Sequence, residues 1–304
     1  MPLRIGVIGV GYLGRHHARI YSELEGVSLA AVADADQSRG KEIAEQYGCK
    51  YFPSYPELLP LCDAVSIVTP TTTHHAVAIE CLAAGKDVLV EKPITVTIEE
   101  ADDLIEEAKK RARILQVGHL ERYNPGLLAA AGMIQKPHFV ESERISPFLG
   151  RGTDVDVTLD LMIHDIDIVL SIIQSEPVEI RAIGERVLTD KVDVAKAWIE
   201  FENGCKALIT ASRLAQEKLR RLRVFQRDSF VSVDYQNHEV RRYYKEGSGI
   251  ACDVANPEKK EPLKEELKDF VQCVRTRSRP KVSGVEARDA LRIALRITEM
   301  VDVR

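Results

Sequence analysis

Ile5-Gly6-Val7-Ile8-Gly9-Val10-Gly11-Tyr12-Leu13-Gly14 begins as an apolar strand and ends as a G-x-G-x-x-G turn. We predict a strand over 5–8 and a helix over 15–24. In such a turn the first glycine permits a tight bend, the second lets a pyrophosphate approach the backbone, and the third lets helix and strand pack closely. The helix N-terminus offers N–H groups and a positive dipole end to phosphates. We therefore predict a dinucleotide site whose contacts in this turn are Gly9, Gly11, Tyr12, Leu13 and Gly14.

The residue that follows the second predicted strand indicates which dinucleotide is bound. This strand, 27–33, leads into Asp34, which lies 20 residues after Gly14. An acid at this position accepts hydrogen bonds from the adenosine ribose of NAD and repels the 2′-phosphate of NADP. Arg39 leaves an alternative open, because a guanidinium can stack on adenine or bind that phosphate. We predict NAD, bound by Asp34 and Arg39.

Strands and helices alternate up to residue 118, which is typical of a doubly wound parallel α/β sheet, the Rossmann architecture. We predict this domain over 1–120. Ligands of such sheets bind beyond the carboxyl ends of the strands. Two of these ends carry polar segments, 69–75 and 91–93. The residues predicted to contact the cofactor there are Thr69, Pro70, Thr71, His74, Glu91 and Lys92.

The second half of the chain shows a different pattern, and we predict one α+β domain over 121–304. A helix is predicted over 157–173, and segments from 178 to 244 alternate apolar and polar residues, as in a mainly antiparallel open sheet. Two helices, 263–275 and 285–301, close the chain, and the second of them can alternatively pack back on the first domain. An open sheet face needs a cover, so we predict a homodimer or homotetramer.

Composition excludes several classes of partner. The 304 residues are 45% hydrophobic and carry a net charge of −5. There is therefore no excess of basic residues to favour nucleic-acid binding. No apolar run approaches the length of a membrane span. The chain enters its first strand at once, and we expect a cytoplasmic protein. The six cysteines form no C-x-x-C pair, and no His or Cys pair has ligand spacing, so we predict no metal site.

Asp160 and His164 lie four residues apart on the predicted helix 157–173 and therefore share one face. A carboxylate beside an imidazole orients the ring and selects its tautomer. Such a pair suits a general base that takes a proton from a secondary alcohol. The alternative is a hydrogen-bonded pair with a purely structural role.

The glycine turn, Thr69-Pro70-Thr71-Thr72-Thr73-His74, Glu91-Lys92-Pro93 and Asp160-Leu161-Met162-Ile163-His164 resemble the Gfo/Idh/MocA oxidoreductases over essentially the whole chain. The resemblance implies an NAD-dependent dehydrogenase that acts on a CH–OH group. It implies that Lys92 touches the nicotinamide ribose and the substrate hydroxyl, that the Lys92–Pro93 peptide is cis, and that Asp160 and His164 are the acid/base pair. Val155 to Thr158 and Met162 stand where family members often carry glycines, which leaves the loop geometry beside the substrate open.

Three further segments, 117–125, 144–148 and 151–157, are similar to the branch of that family that oxidises UDP-N-acetylglucosamine at C3 on the way to a diamino sugar of lipid A. The similarity implies a nucleotide-sugar substrate. Arginines suit its diphosphate because a guanidinium binds phosphate in a bidentate way. The predicted substrate-binding residues are Arg122, Tyr123, Asn124, Arg144, Arg151 and His164.

Other interpretations remain open at this point. The arginines can form surface or interdomain ion pairs instead of binding a ligand. The substrate can be inositol, a free sugar or another nucleotide sugar. A protein of another class, a sensor that binds NAD and a sugar without turnover, would also keep the glycine turn, although Lys92, Asp160 and His164 argue against it.

Overall fold

The computed structural model describes residues 1–148, 150 and 155–302. It divides into two compact units. The first contains Met1–Leu120 and Leu263–Arg288, and the second contains Glu121–Pro262 and Asp289–Arg304. This division differs from the predicted continuous segment 121–304, because residues 263–288 belong to the first unit.

Strands alternate with helices up to residue 118, and strands predominate between residues 139 and 255. In chain order, the strands are β1 (Leu3–Ile8), β2 (Val27–Ala33), β3 (Lys50–Phe52), β4 (Ala64–Ile67), β5 (Asp87–Glu91), β6 (Leu115–Gly118), β7 (Phe139–Pro147), β8 (Pro177–Glu185), β9 (Val194–Phe201), β10 (Lys206–Ala215), β11 (Leu219–Phe225), β12 (Ser229–Asp234), β13 (Glu239–Glu246) and β14 (Gly249–Ala255). The α-helices are α1 (Gly14–Glu23), α2 (Gln37–Tyr47), α3 (His74–Ala83), α4 (Ile98–Lys110), α5 (Pro125–Ala130), α6 (Ile163–Ile173), α7 (Pro262–Thr276) and α8 (Gly284–Asp302). None of the helices in the described ranges has both the length and the apolar character needed to cross a bilayer.

The first unit contains a six-stranded parallel sheet in the order β3-β2-β1-β4-β5-β6. The chain moves outward in one direction from β1 and in the other from β4, so the strand order reverses between these two strands. This confirms the predicted doubly wound sheet and places a ligand-binding crevice at the carboxyl ends of β1 and β4. Strand β3 was not predicted, because three residues beginning with a lysine carry no usable apolar pattern.

Helix α7 packs into the core of the first unit. Its residues Leu263, Leu267, Phe270 and Val274 repeat at helical spacing, and all four are buried in the cluster that contains Ile5 of β1. An amphipathic stripe of this kind indicates that one face of the helix is buried, but it does not indicate which sheet buries it. The sequence therefore predicted the helix correctly and assigned it to the other unit.

The second unit contains an eight-stranded sheet in the order β14-β13-β12-β11-β7-β10-β9-β8. β7 and β10 are parallel and the other neighbours are antiparallel, which confirms the predicted mainly antiparallel sheet. Ser142 and Arg144 of β7 point to the face that carries α6, since both bond to Asp165 of that helix. The predicted helix 157–173 begins with a π-helical turn, Thr158–Met162, before α6. Strand β14 was missed because it is largely exposed and lacks apolar alternation.

Candidate active site

A different structural requirement explains each of the three glycines in the turn after β1. Gly9 has a positive φ of 85°, and a Cβ built on it would lie 2.6 Å from the carbonyl oxygen of Val68. A Cβ on Gly14 would lie 1.9 Å from the carbonyl oxygen of Gly9. A Cβ on Gly11, in contrast, would meet nothing within 4 Å. The fold itself therefore requires Gly9 and Gly14, whereas Gly11 keeps space open beside the backbone.

The N-terminus of α1 adjoins that open space. Its first turn carries no acidic residue, and Leu13 at the N-cap makes no side-chain cap. Tyr12 is 65% exposed, and the Arg15 guanidinium lies 5.1 Å from the centroid of its ring. A helix start without an acid or a side-chain cap leaves its positive dipole end available to an anion.

A cleft of about 600 Å³ lies at the carboxyl ends of β1, β2 and β4. The predicted cofactor residues that line it are Gly9, Gly11, Asp34, Arg39, Thr69 and Pro70. The lining residues that the sequence analysis missed are Ile8, Ala33, Ala35, Pro53, Ser54, Tyr55, Val68, Thr73 and Val77. Pro53 to Tyr55 directly follow β3, so recognition of that short strand would have placed them at this edge.

Asp34 uses its carboxylate to tie the end of β2 to the glycine turn. One oxygen accepts the Val10 N–H at 2.8 Å, and the other accepts the Asp36 N–H at 2.8 Å. Arg39 donates to Asp34 at 3.3 Å and pairs with Asp36 at 3.3 Å. The predicted pair thus lies together in the cleft, and two carboxylates already balance the Arg39 charge. This arrangement favours a ribose diol at Asp34 over an added phosphate.

His74 lies between the segments that follow β4 and β5. Its Nε2 is 2.9 Å from the Thr69 carbonyl oxygen and its Nδ1 is 2.9 Å from the Pro93 carbonyl oxygen. The residue is 1% exposed. We predicted His74 at the cofactor; both of its ring nitrogens lie at hydrogen-bond distance from backbone carbonyl oxygens, so the ring connects these two segments. Thr71, predicted with it, begins the short 3₁₀ turn Thr71–Thr73 and is partly exposed.

The segment Glu91-Lys92-Pro93 contains the predicted cis peptide between Lys92 and Pro93. Glu91 is 5% exposed, and its Oε1 lies 3.2 Å from Nε2 of the fully buried His17. Its Oε2 accepts the Lys92 N–H at 3.3 Å. A Cβ on Gly118 of β6 would lie 2.6 Å from the Glu91 carboxylate, so that glycine makes room for it. Glu91, predicted at the cofactor, is therefore buried behind the segment and accepts the Lys92 N–H, whereas the Lys92 side chain is partly exposed.

In the second unit, Asp160 lies in the π-helical turn and His164 in the first turn of α6. Both are partly exposed, whereas Asp165 and Asp167 on the same helix are 1% and 2% exposed. Single π turns within helices occur frequently at functional sites. Asp160 and His164 are therefore more accessible than the two aspartates that follow them on α6, and their acid/base role stays a prediction.

Arg144 lies at the centre of a buried ion cluster. Its Nε donates to Asp165 at 2.6 Å and its Nη1 donates to Glu121 at 2.9 Å. The hydroxyl of Ser142 donates to Asp165 at 2.6 Å. Burial raises the pKa of Glu121, but Arg144 and Arg220 lower it by more, so its pKa lies below the ordinary value. Arg144 was predicted to bind substrate, but it is 2% exposed and its guanidinium holds two carboxylates instead.

The remaining predicted substrate residues also have partners within the unit. Arg122 donates to Asp167 at 3.0 Å, with 15% of its side chain exposed. Asn124 caps α5 by accepting the Gly126 N–H at 2.9 Å. Tyr123 and Asn124 are both 4% exposed, which argues against direct contact with substrate. Arg151 lies outside the described residues.

Comparison with known proteins gives two family matches and several relatives. The oxidoreductase family with the NAD-binding Rossmann fold matches residues 3–119, and the GFO/IDH/MocA C-terminal domain matches residues 131–228. The chain is 40% identical to the UDP-N-acetylglucosamine 3-dehydrogenase of Acidithiobacillus ferrooxidans, across 99% of this chain and 97% of that one. The crystal structure of that enzyme superposes with a TM-score of 0.95 over 99% of this chain and 98% of the other.

A more distant relative is the NAD-dependent scyllo-inositol 2-dehydrogenase of Bacillus subtilis, 29% identical across 97% of this chain and 93% of the relative. Levoglucosan dehydrogenase in complex with NADH shares 17% identity and a TM-score of 0.90, across 99% of this chain and 97% of that one, and so shows the fold alone. The open position at Gly11, the uncapped start of α1 and the Asp34 carboxylate fit a dinucleotide, in agreement with these matches. The chain belongs to the Gfo/Idh/MocA family of oxidoreductases and is an NAD-binding dehydrogenase that acts on a CH–OH group.

Proposed function

We propose that this protein uses NAD to oxidise the C3 hydroxyl of UDP-N-acetylglucosamine and produces the 3-keto sugar nucleotide. One observation carries the proposal. The relative with that activity matches 99% of this chain at 40% identity, whereas the scyllo-inositol dehydrogenase matches at 29%. An aminotransferase that forms the diamino sugar of lipid A would consume the product, and we infer that both enzymes act in the cytoplasm, where nucleotide sugars are made.

We propose that the first unit binds the cofactor and the second binds the sugar. Backbone N–H groups of the glycine turn and of α1 would hold the pyrophosphate, and Asp34 would accept the ribose hydroxyls. Arg39 would lie near the adenosine. When bound, NAD supplies the hydride acceptor. Gly11 keeps the backbone accessible, because a side chain there would occupy the open space.

We propose distinct roles for three side chains in the chemistry. His164 accepts the proton of the substrate hydroxyl as general base, and Asp160 orients the ring. Lys92 donates hydrogen bonds from its ammonium group to the oxygen as that oxygen gains negative charge. Glu91 holds the Lys92 backbone in place through the bond at 3.3 Å, and so limits where the ammonium group can go.

A coupled assay tests the substrate. Alcohol oxidation by NAD is unfavourable near neutral pH, so a reaction with glutamate and a sugar-nucleotide aminotransferase should pull it forward. We expect mass spectrometry to detect the amino-substituted sugar nucleotide only when NAD, UDP-N-acetylglucosamine and the protein are all present. NADH formation from inositol or a free hexose, with no such product, would assign the protein to another substrate within the same family.

We also propose that a second copy of the chain covers the outer face of the sheet in the second unit. A row of partly exposed aromatic rings crosses that face, with neighbouring centroids between 4.8 and 5.7 Å apart. The row consists of Trp198, Phe139, Phe225, Phe230 and Tyr243. Apolar surface of this extent is typical of a protein interface.

Light scattering at micromolar concentration tests this interface. We expect a dimer or tetramer for the wild type and a smaller species for Phe225→Asp. Leu128→Asp is the control, because Leu128 is 47% exposed but lies away from the aromatic row. It belongs to α5, and a Cβ built on Gly126 of that helix would face Val233, on the opposite face of the sheet. A monomeric wild type would contradict the proposal.

A further inference from the structure

Arg220 occupies an unusual position at the start of β11. It pairs in register with Arg144 of β7, and residues paired in this way lie on the same face of a sheet. Arg144 is 2% exposed, whereas the Arg220 side chain is 36% exposed. The two arginines are therefore neighbours on the face that carries α6, one fully buried and the other partly exposed.

A chain of charged contacts holds Arg220 in relation to α6. Its Nη1 donates to Glu121 Oε1 at 3.1 Å, the same oxygen that accepts from Arg144 at 2.9 Å. Arg144 in turn bonds to Asp165, the residue that follows His164. Each link is a charge-assisted hydrogen bond, so the guanidinium of Arg220 is held relative to the helix that carries His164.

The other edge of that guanidinium has no hydrogen-bond partner in the part of the chain that the structure describes. Within residues 1–148, 150 and 155–302, Nε and Nη2 of Arg220 make no hydrogen bond. These two nitrogens form the side of a guanidinium that presents two parallel N–H groups, the geometry that matches a phosphate. The bond to Glu121 holds one nitrogen and leaves the two-donor edge free.

Partial burial and the nearby Arg144 together disfavour the positive charge of Arg220 and lower its pKa. Burial lowers the pKa of Arg220 most, and the nearby Arg144 lowers it further, against the opposing effects of Glu121, Asp165 and Asp160. Asp160, one member of the predicted acid/base pair, is among the charges that act on the guanidinium. An added anion would offset both the partial burial and the repulsion from Arg144.

We propose that Arg220 binds the diphosphate of the nucleotide-sugar substrate through Nε and Nη2. This inference rests on the proposed function and gives Arg220 the role that the sequence suggested for Arg144. It makes Arg220 a substrate-binding residue in the second unit, pre-positioned by Glu121.

Titration calorimetry with UDP, which carries the diphosphate without the sugar, tests this role. We expect the wild type to bind UDP and Arg220→Met to bind it about 10- to 100-fold more weakly. This is the usual contribution of hydrogen bonds to a charged group. Arg220→Lys should recover part of the affinity as a point charge. Arg223→Met is the matched control, since Arg223 lies on the same strand but pairs with Glu141 and Glu143 on the outer face.

Steady-state kinetics separate binding from positioning. In Arg220→Met we expect a higher KM for UDP-N-acetylglucosamine and an unchanged KM for NAD. Equal UDP affinity in wild type and Arg220→Met, or a fall in kcat alone, would overturn the inference and leave the proposed function standing. A wild type that neither binds UDP nor oxidises UDP-N-acetylglucosamine would overturn both. If Arg220→Met does not fold, as judged by its melting temperature, Arg220→Lys and Arg220→Gln give the same comparison.

Discussion

The cofactor edge of the first unit and the ion cluster of the second unit are built in opposite ways. The cofactor edge depends on backbone and on missing side chains, as at Gly11, where a Cβ would meet nothing within 4 Å. The ion cluster depends on long charged side chains that form ion pairs with one another, as Arg144 does with Glu121 and Asp165. A site made of backbone stays available to a ligand, whereas charged side chains serve a ligand only if the protein has not already paired them.

The largest expected effects separate chemistry from cofactor binding. We expect His164→Ala and Lys92→Ala each to lower kcat and kcat/KM together by about 10²- to 10⁴-fold, the usual loss for a general acid or base. The dissociation constant of NAD should change little, because the backbone of the glycine turn holds the pyrophosphate. Initial rates of NADH formation and titration calorimetry with NAD measure the two quantities. Near-normal turnover of His164→Ala would transfer the role of base to another group, with Asp160 the first candidate.

The ion cluster should contribute to stability more than to binding. Arg144→Met leaves Glu121 and Asp165 buried without their main partner, which we expect to lower the free energy of unfolding by about 3–5 kcal/mol. Arg223→Met, whose guanidinium pairs with partly exposed carboxylates, should cost no more than about 1 kcal/mol. Urea denaturation measures both variants. Equal stability of the two would mean that the cluster is not a structural device and would reopen Arg144 as a ligand residue.

Two glycines of one turn test whether the cofactor edge is kept open for a ligand. Gly14→Ala should destabilise the protein by about 1–3 kcal/mol, because its Cβ would overlap the Gly9 carbonyl oxygen at 1.9 Å. Gly11→Ala should leave the melting temperature unchanged and weaken NAD binding by about tenfold or more, equivalent to about 1.4 kcal/mol. Calorimetry gives both values. A Gly11→Ala variant that binds NAD normally would contradict a pyrophosphate at this position.

The smallest expected effect concerns the choice between NAD and NADP. We expect a higher kcat/KM with NAD, because the Asp34 carboxylate lies in the cleft and Arg39 is already held by Asp34 and Asp36. Asp34→Ser should narrow the preference by about tenfold, since it removes the repulsion and releases Arg39. Initial rates with both cofactors measure the ratio. Equal efficiency of the wild type with NADP would show that Arg39, and not Asp34, decides the choice.

The cofactor edge could be predicted in detail because its requirements are local. The glycine spacing, the strand that ends at Asp34 and the Lys92–Pro93 segment each lie within a few residues of the element that positions them, and the structure places them at strand ends as expected. The D-x-x-x-H pair was predicted for the same reason, since four residues of helix suffice to put Asp160 and His164 on one side. The similarity to a known family added the roles that we propose for them.

The ion cluster could not be predicted, because its partners are distant in sequence. Arg144 lies 23 residues from Glu121 and 21 from Asp165, and nothing in the local pattern states that all three point to the same side of β7. The same holds for His74, whose second partner, Pro93, is 19 residues away. The same limit applies to a whole helix. The apolar stripe of α7 is compatible with either sheet, so the sequence does not show on which sheet α7 packs.

The sequence by itself determined the two sheet types, the dinucleotide turn and the family, and it singled out Asp160 and His164 as the predicted acid/base pair. The tertiary structure decided which charged residues remain available to a ligand. It buried Arg144, paired Arg122 and left Arg220 with an open edge. The physical reason is that backbone conformation follows from residues that are neighbours in the sequence. The desolvation and pairing of a charged side chain depend instead on every group that folding brings into contact with it.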